Sequence, residues 1–358
     1  MSNEISNEIS NKISNKISNG INMVLNNAIN KIMDTMNRAM NVMDTSLLKR
    51  GLRLLLVGLL AVLPFISEGR SEEVHIQGDH GTLAAIMQVP DSSSTYPMVV
   101  IMHGFSSSKD AKLLQLIAYE LEQAGIGSIR FDFNGHGDSD GRFQDMIVLN
   151  EIVDAKAVYS YLKEEAENRA YISSISLVGH SQGGVVASML AGELAESEGS
   201  EAIKSVVLLA PAGNIKDGLI GGSFFGIQFN TDELPDVVEL PSGLKVGRQY
   251  FQTAYDLPIY ETAAEYTGPV DIIQGSEDMV VPPRYSRRFN EVYANSELHM
   301  MGGYDHEFTQ NPALVARMVK DFIAQKTSES NTATTADTTW WGMILAWFNA
   351  VVAYFVNK

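Results

Sequence analysis

Residues 173–195 set an apolar run, SSISLVG, directly before a glycine-rich turn and a helical stretch, VVASMLAGELA, directly after it. The turn reads Gly179-His180-Ser181-Gln182-Gly183, a G-x-S-x-G pentapeptide. By composition alone such a pentapeptide arises by chance in about one chain in ten of this length. Its position between a strand and a helix is what gives it meaning. A connection that sharp forces its central residue into a strained conformation and needs small neighbours, here Gly179, Gly183 and Gly184. Ser181 would then stand at the carboxyl end of a sheet, where sites of α/β proteins form, with a helix N-terminus aimed at any developing oxyanion.

The flanking sequence repeats the same alternation. Apolar, β-branched runs at 83–89, 97–103, 127–133, 173–179, 203–210, 269–275 and 297–302 carry Gly or Pro borders and predict buried parallel strands. Helical patterns fall between them, at 110–124 (with Leu113, Leu114, Ile117 and Leu121 on one face), 147–168, 182–195, 283–294 and 312–325. Strands alternating with helices predict an α/β domain over 70–326, with a mainly parallel central sheet flanked by helices. Residues 211–264 break the rhythm with many Gly, Pro and aromatic residues, and predict an inserted lid subdomain.

A serine hydroxyl becomes a nucleophile only when a histidine takes its proton and a carboxylate orients that histidine, in the chain order Ser, acid, His. Two histidines follow Ser181. His299 lies inside the apolar run ELHMM and reads as structural, whereas His306, in GGYDHEF, falls in a loop after the last strand. Asp278, in QGSEDMVVP after the run 269–275, is the acid of choice, with Glu277 the neighbouring alternative and Asp305 too close in sequence to His306. The oxyanion donors are the backbone N–H groups of Gln182 and of Phe105, in IMHGFSSSKD, with His103 shaping that loop. Asp132, His136 and Asp138 in FDFNGHGDSDG suggest a metal site, but clustered Gly and Asp after a strand more simply form a turn whose side chains bind backbone N–H groups.

Charge and cysteine content remove other classes of function. The 358 residues include 26 Lys and Arg against 43 Asp and Glu, a net charge of −17, which disfavours nucleic acid as a partner. No cysteine is present, so disulfides, thiolate metal sites and a cysteine nucleophile are excluded. The chemistry requires neither a cofactor nor a metal.

The ends read differently from the middle. Residues 1–48 open with a repeated tetrad, SNEISNEISNKISNKISN, and predict a low-complexity tail. Within 49–69, Lys49, Arg50 and Arg53 precede the apolar run Leu54 to Ile66, the shape of a secretory signal, with Ser67-Glu68-Gly69 as a cleavage site and Met43 as a start that gives a conventional leader length. A Thr- and Ser-rich linker at 327–339 leads to WWGMILAWFNAVVAYFV within 340–358, which predicts a C-terminal membrane anchor with interfacial tryptophans. Export with the catalytic domain held outside the cytoplasm is the expectation, a cytoplasmic enzyme the alternative.

HGF, FDFNGHGDSDG with VLNEIVDAKAV, LVGHSQGGVVASMLAG, VVLLAPAG, LPIYE and GYDHEF together resemble the bacterial cinnamoyl (feruloyl) esterases, which implies the α/β-hydrolase fold. The resemblance covers nearly all of 72–326 and neither terminus. It implies Ser181, Asp278 and His306 as the triad and 211–264 as the lid over an aromatic acyl group. It also implies Asp217, in NIKDG, and Tyr250, ahead of LPIYE, as the polar side chains that bind phenolic hydroxyls. Phe224 and Phe225, in GGSFFGIQF, depart from the family's polar residue, which leaves the ring substitution open. The substrate implied is a small or polysaccharide-linked hydroxycinnamoyl ester, and a homodimer is left open. Rival readings are an acylglycerol lipase or acyltransferase and a non-catalytic binding protein on a hydrolase scaffold.

Overall fold

The computed structural model describes residues 70–90, 95–169, 171–224, 226–231 and 233–329. The expected tail and signal-like segment (1–69), Phe225 and everything from 330 onward, including the stretch 340–358 expected as an anchor, lie outside the described residues.

Eight strands form the central sheet: β1 (Arg70–Gly78), β2 (Gly81–Val89), β3 (Tyr96–Met102), β4 (Gly127–Phe131), β5 (Ile172–His180), β6 (Val206–Leu209), β7 (Val270–Gly275) and β8 (Ser296–Met301). Their order is β1-β2-β4-β3-β5-β6-β7-β8. From β4 to β8 all pairings are parallel, while β1 pairs with β2, and β2 with β4, antiparallel. This is the α/β-hydrolase fold. The run 83–89 is therefore not a parallel strand, contrary to the sequence expectation. Residues 90–95 are too few for the crossover of a dozen or more residues that a parallel neighbour requires, so the chain must return antiparallel. β1 carries no strand signal in the sequence because it is an edge strand whose one buried residue is Ile76, which leaves little hydrophobic pattern to read.

The helices are α1 (Lys112–Gln123), α2 (Val148–Arg169), α3 (Gln182–Glu198), α4 (Ile215–Ile220), α5 (Arg248–Tyr255), α6 (Ile259–Ala264), α7 (Arg284–Val292) and α8 (Pro312–Glu329). α8 runs three residues into the Thr- and Ser-rich stretch that begins at 327. Strand residues alternate between two cores, as the two-residue period of a strand requires. Met98, Val100 and Met102 of β3 pack on the side of α2 and α3, whereas Val99 and Ile101 pack against α1 and α8 through Leu114, Ile117, Val315 and Val319. Each such fully buried aliphatic side chain stabilises the fold by roughly 1.5–3 kcal/mol.

The chain passes from β3 to β4 on one side and then from β4 back across to β5 on the other side of β3, which creates a switch point at their carboxyl ends. Between β6 and β7 the sequence 211–264 folds as α4, two short hairpins (Ser223–Phe224 with Ile227–Gln228, and Val237–Glu239 with Lys245–Gly247), α5 and α6.

Candidate active site

Ser181 sits between β5 and α3 with φ 55° and ψ −120°, a conformation that costs an L residue about 1–3 kcal/mol. The surroundings hold it there. Its N–H donates to the Leu209 carbonyl at 2.8 Å, and its own carbonyl accepts from Gly184 and Ala212, each at 3.0 Å. The motif glycines are required by close approach: a Cβ on Gly179 would lie 2.1 Å from the Gly183 carbonyl oxygen, and one on Gly183 would lie 2.4 Å from that of His103. Among the described residues, the other non-glycine residues with positive φ are Ser106, Ala210 and Phe308, which follow β3, β6 and β8. Strain thus gathers at the sheet end that carries Ser181.

The loops after β7 and β8 bring two more groups to that end. His306 Nε2 lies 2.9 Å from Ser181 Oγ, and His306 Nδ1 lies 2.7 Å from Asp278 Oδ2. With the serine hydroxyl donating to Nε2, Nδ1–H donates to the carboxylate. Asp278 also accepts from Val280 N and Val281 N (2.8 Å each) on Oδ1 and from Gln274 Nε2 (2.9 Å) on Oδ2. Burial alone would raise its pKa. The bond from His306, the attraction of its ring and the Val281 and Gln274 donors outweigh burial and hold the carboxyl below the usual range. Glu277 is exposed, and Asp305 accepts from Thr309 N at 2.9 Å, so neither faces His306 Nδ1 as Asp278 does. His299 lies on β8, 3.2 Å from Asp271 Oδ1.

The residue before the serine has a part that its place in the motif does not announce. His180 Nε2–H donates to the His306 carbonyl at 2.9 Å and so ties the histidine loop to the elbow. Burial, then the neighbouring His306, lowers the pKa of His180 and keeps its ring neutral.

Gln182 is the first residue of α3, whose opening N–H groups have no partner within the helix. Phe105 follows Gly104, where an added Cβ would lie 2.9 Å from Ser181 Cβ, so this loop runs beside the nucleophile. Two ties hold the loop. His103 Nδ1–H donates to the Gly104 carbonyl (2.8 Å) and its Nε2 accepts from Phe133 N (3.1 Å). Lys109 Nζ donates to Asp132 Oδ2 (2.7 Å) and Asp138 Oδ2 (2.6 Å), while Asp132 also accepts from the backbone of Lys109 and Asp138. Burial would raise the pKa of Asp132, but the Lys109 bond leads the effects that lower it. The ammonium of Lys109 thus stands where a metal between Asp132 and Asp138 would stand. A second group of ligand-type atoms, on His180, His306 and Glu307, lies within 4.8 Å. An ion there would displace the bonds from His180 and His306 just described.

The insertion contributes an aromatic wall. The Phe105 ring contacts those of Phe143 (5.2 Å), Phe224 (5.5 Å) and Tyr250 (5.9 Å) edge-on, and Phe224 contacts Tyr250 (5.3 Å) and Phe251 (5.4 Å). Tyr250 is buried, and its hydroxyl donates to Gln182 Oε1 at 2.7 Å. Asp217, on α4, is exposed and accepts from the Tyr285 hydroxyl at 2.8 Å. Gln182 Nε2 in turn donates to Glu151 Oε2 at 2.8 Å. Sequence reasoning passed over Lys109, His180 and Glu151. Glu151 alone left a signal, a carboxylate among Val148, Ile152, Ala155 and Tyr159 on the apolar stripe of α2.

A family model described as serine aminopeptidase, S33 (Hydrolase_4), matches residues 94–230, a span that contains the elbow and ends before Asp278 and His306. Among solved structures, Est1E from Butyrivibrio proteoclasticus with ferulic acid bound is 27% identical with a TM-score of 0.66, covering 71% of this chain and 99% of that one. The human protein ABHD12B is 26% identical over 241 residues, 65% of this chain, and the match spans 62% of that relative's length. An uncharacterized 31.7 kDa protein of the traX-finO intergenic region of Escherichia coli is 25% identical over 249 residues, 60% of this chain and 83% of its own. Fold and neighbours are those of the α/β hydrolases, and the elbow serine, histidine and carboxylate are arranged as a serine hydrolase requires.

Proposed function

We propose that this chain hydrolyses carboxylic esters of hydroxycinnamic acids through an acyl-enzyme, with Ser181, His306 and Asp278 as the catalytic triad. The observation that carries the substrate class is the wall of Phe105, Phe143, Phe224 and Tyr250 rings, one of which belongs to a residue proposed as an oxyanion donor. A flat aromatic acyl group stacks or meets such rings edge-on, at about 0.5–1.5 kcal/mol per ring pair. The likeness to Est1E, whose structure holds ferulic acid, supports the same class.

In the reaction, His306 Nε2 takes the Ser181 proton as Oγ attacks the ester carbonyl, and Asp278 stabilises the imidazolium. The N–H groups of Phe105 and Gln182 hold the oxyanion. Collapse releases the alcohol with the proton returned by His306. Water, deprotonated by the same nitrogen, then attacks the acyl-enzyme and frees the acid and Ser181. Tyr250, buried with its hydroxyl bonded to Gln182, backs the Phe105 and Phe224 rings from behind. Asp217 supplies an acceptor for a phenolic hydroxyl from the insertion, which acts as the lid.

The decisive experiment is a hydrolysis panel of methyl ferulate, caffeate, p-coumarate and sinapate beside p-nitrophenyl fatty esters of rising chain length and an amino-acid p-nitroanilide. The highest kcat/KM is expected on a hydroxycinnamate; faster turnover of long acyl chains or of the anilide overturns the assignment. We further propose export, with the C-terminal apolar segment holding the enzyme at a membrane, which suits an ester attached to a polysaccharide too large to enter a cell. Among the described residues no helix is long and apolar enough to cross a membrane, and the segments concerned lie outside them. Detergent-free fractionation of the full chain against one ending at Lys326 tests the anchor. Equal solubility of the two would overturn it.

A further inference from the structure

One residue of the insertion touches both residues whose backbone N–H groups are the proposed oxyanion donors. The Tyr250 hydroxyl donates to Gln182 Oε1 at 2.7 Å, and the Tyr250 ring meets the Phe105 ring at 5.9 Å between centroids. On its other side the Gln182 amide donates to Glu151 Oε2 at 2.8 Å, and to Met146 Sδ at 3.5 Å. All three polar side chains are almost wholly buried: Gln182 and Tyr250 are 1% exposed and Glu151 2%. A buried carboxyl and a buried phenol are costly unless satisfied, so the packing around Gln182 leaves its side chain one arrangement.

That arrangement bears on chemistry because of where Gln182 sits. Its backbone N–H belongs to the peptide unit that joins it to Ser181, and Ser181 holds a strained φ and ψ that only its surroundings maintain. Oxyanion donors act by being fixed in place before charge develops, so a small tilt of that peptide weakens them. The Gln182 side chain is clamped between α2, through Glu151, and α5, through Tyr250, which fixes the residue.

We propose that Glu151 and Tyr250 are positioning residues of the oxyanion hole, acting through the Gln182 side chain, so that the seating of the insertion on the sheet governs the placement of the Gln182 N–H. The proposal rests on the reading of Gln182 as an oxyanion donor. It departs from a role for the Tyr250 hydroxyl in contacting the substrate's phenol. Burial pushes the Glu151 carboxyl well above the usual range, which makes it chiefly a hydrogen-bonding group and Gln its close replacement.

The test uses the full chain, with rates normalised to sites titrated by a fluorophosphonate. Both p-nitrophenyl acetate and methyl ferulate serve as substrates. Tyr250→Phe keeps the ring and removes the donor. It should lower kcat about tenfold on both esters with KM within about twofold, because every ester uses the same oxyanion hole and a loosened donor costs less than the ~10²–10³-fold of a lost one. Glu151→Leu should lower kcat to a similar extent, and Glu151→Gln should recover most of that loss. A Tyr250→Phe effect confined to ferulate, or appearing in KM alone, would show a substrate contact and overturn the proposal. So would an unchanged kcat, or a Glu151→Gln variant as poor as Glu151→Leu. Acetate keeps this outcome separate from the substrate class proposed above, and Ser181→Ala separates it from the serine mechanism: persistence of hydrolysis in that variant sinks the mechanism itself.

Discussion

The loops around Ser181 and the insertion that faces them meet at Phe105 and Gln182, yet they are held by different means. Ser181, His306, Asp278, His180 and His103 are fixed by directional bonds of 2.7–3.1 Å, several of them to backbone groups, with backbone strain at the ends of the strands. The wall contributed by Phe224 and Phe251 is held by ring contacts near 5.4 Å. Hydrogen bonds weaken as they stretch beyond about 3.2 Å and steeply as they bend below about 120°, whereas ring packing is less directional. Proton transfer needs the first kind of support. An acyl pocket needs only the second, so substrate range can change in 211–264 without touching the chemistry. Tyr250 is the exception that links the two.

The largest effects should come from the directional side. Ser181→Ala should reduce hydrolysis at least about 10⁴-fold and abolish fluorophosphonate labelling, and Asp278→Asn should cost about 10⁴-fold by leaving His306 in the wrong tautomer. Steady-state kinetics on p-nitrophenyl acetate read both. A loss below about a hundredfold in either would mean that these bonds do not carry the chemistry, and the contrast with the insertion would collapse.

These strong positions are also the ones legible in sequence. The elbow announces itself because strand, turn and helix are contiguous over 172–198 and the glycines are demanded by contacts of 2.1–2.4 Å. Asp278 and His306 follow from the rule that loops at the carboxyl ends of later strands face the elbow. The supports are hidden. Lys109 lies 23 and 29 residues from its carboxylates, and Gln182 lies 31 from Glu151 and 68 from Tyr250, separations at which no local pattern reports a hydrogen bond. Of the β1–β2 hairpin only the inner strand is legible, because the outer one buries little.

Next in size is the clamp on the loop that carries Phe105. Asp132 is buried, and its replacement by Asn leaves the mostly buried Lys109 ammonium facing only the exposed Asp138 and Asp110. Breaking a buried pair in this way typically costs about 3–5 kcal/mol. Asp132→Asn should therefore lower the unfolding free energy, read from denaturant melts, by that amount, with a fall in kcat on all esters alike. A variant as stable as the parent would place the clamp among dispensable surface pairs.

A third effect depends on pH. Burial, and then the neighbouring His136, lowers the pKa of His103 to about 3, and the Phe133 N–H already occupies its Nε2. The fold thus keeps this ring neutral, while the unfolded chain takes up a proton near pH 6.5. The sign follows: stability from His103 is full above about pH 6.5 and is lost as pH falls from there toward 3, at up to about 1.4 kcal/mol per pH unit. Asp154 and Asp271, raised to about 6 chiefly by burial, act in the opposite sense between about pH 4 and 6. The comparison must therefore be differential. Between pH 6 and 4, His103→Gln should show a shallower loss of unfolding free energy than the parent, and equal slopes would remove His103 as the acid-sensitive tie.

The smallest effect should lie in the insertion, where it sharpens the contrast most. Phe224→Leu keeps an apolar side chain in a buried place but removes the ring that meets Phe105, Tyr250 and Phe251. An aromatic contact is worth about 0.5–1.5 kcal/mol beyond its buried area, so KM for methyl ferulate should rise about two- to tenfold. With Tyr250 still bonded to Gln182, kcat on p-nitrophenyl acetate should stay within about twofold of the parent. An equal fall in kcat on acetate and ferulate would mean that Phe224 also positions the oxyanion loop through Phe105. The wall would then belong to the directional machinery, and substrate range could not drift in the insertion independently of rate.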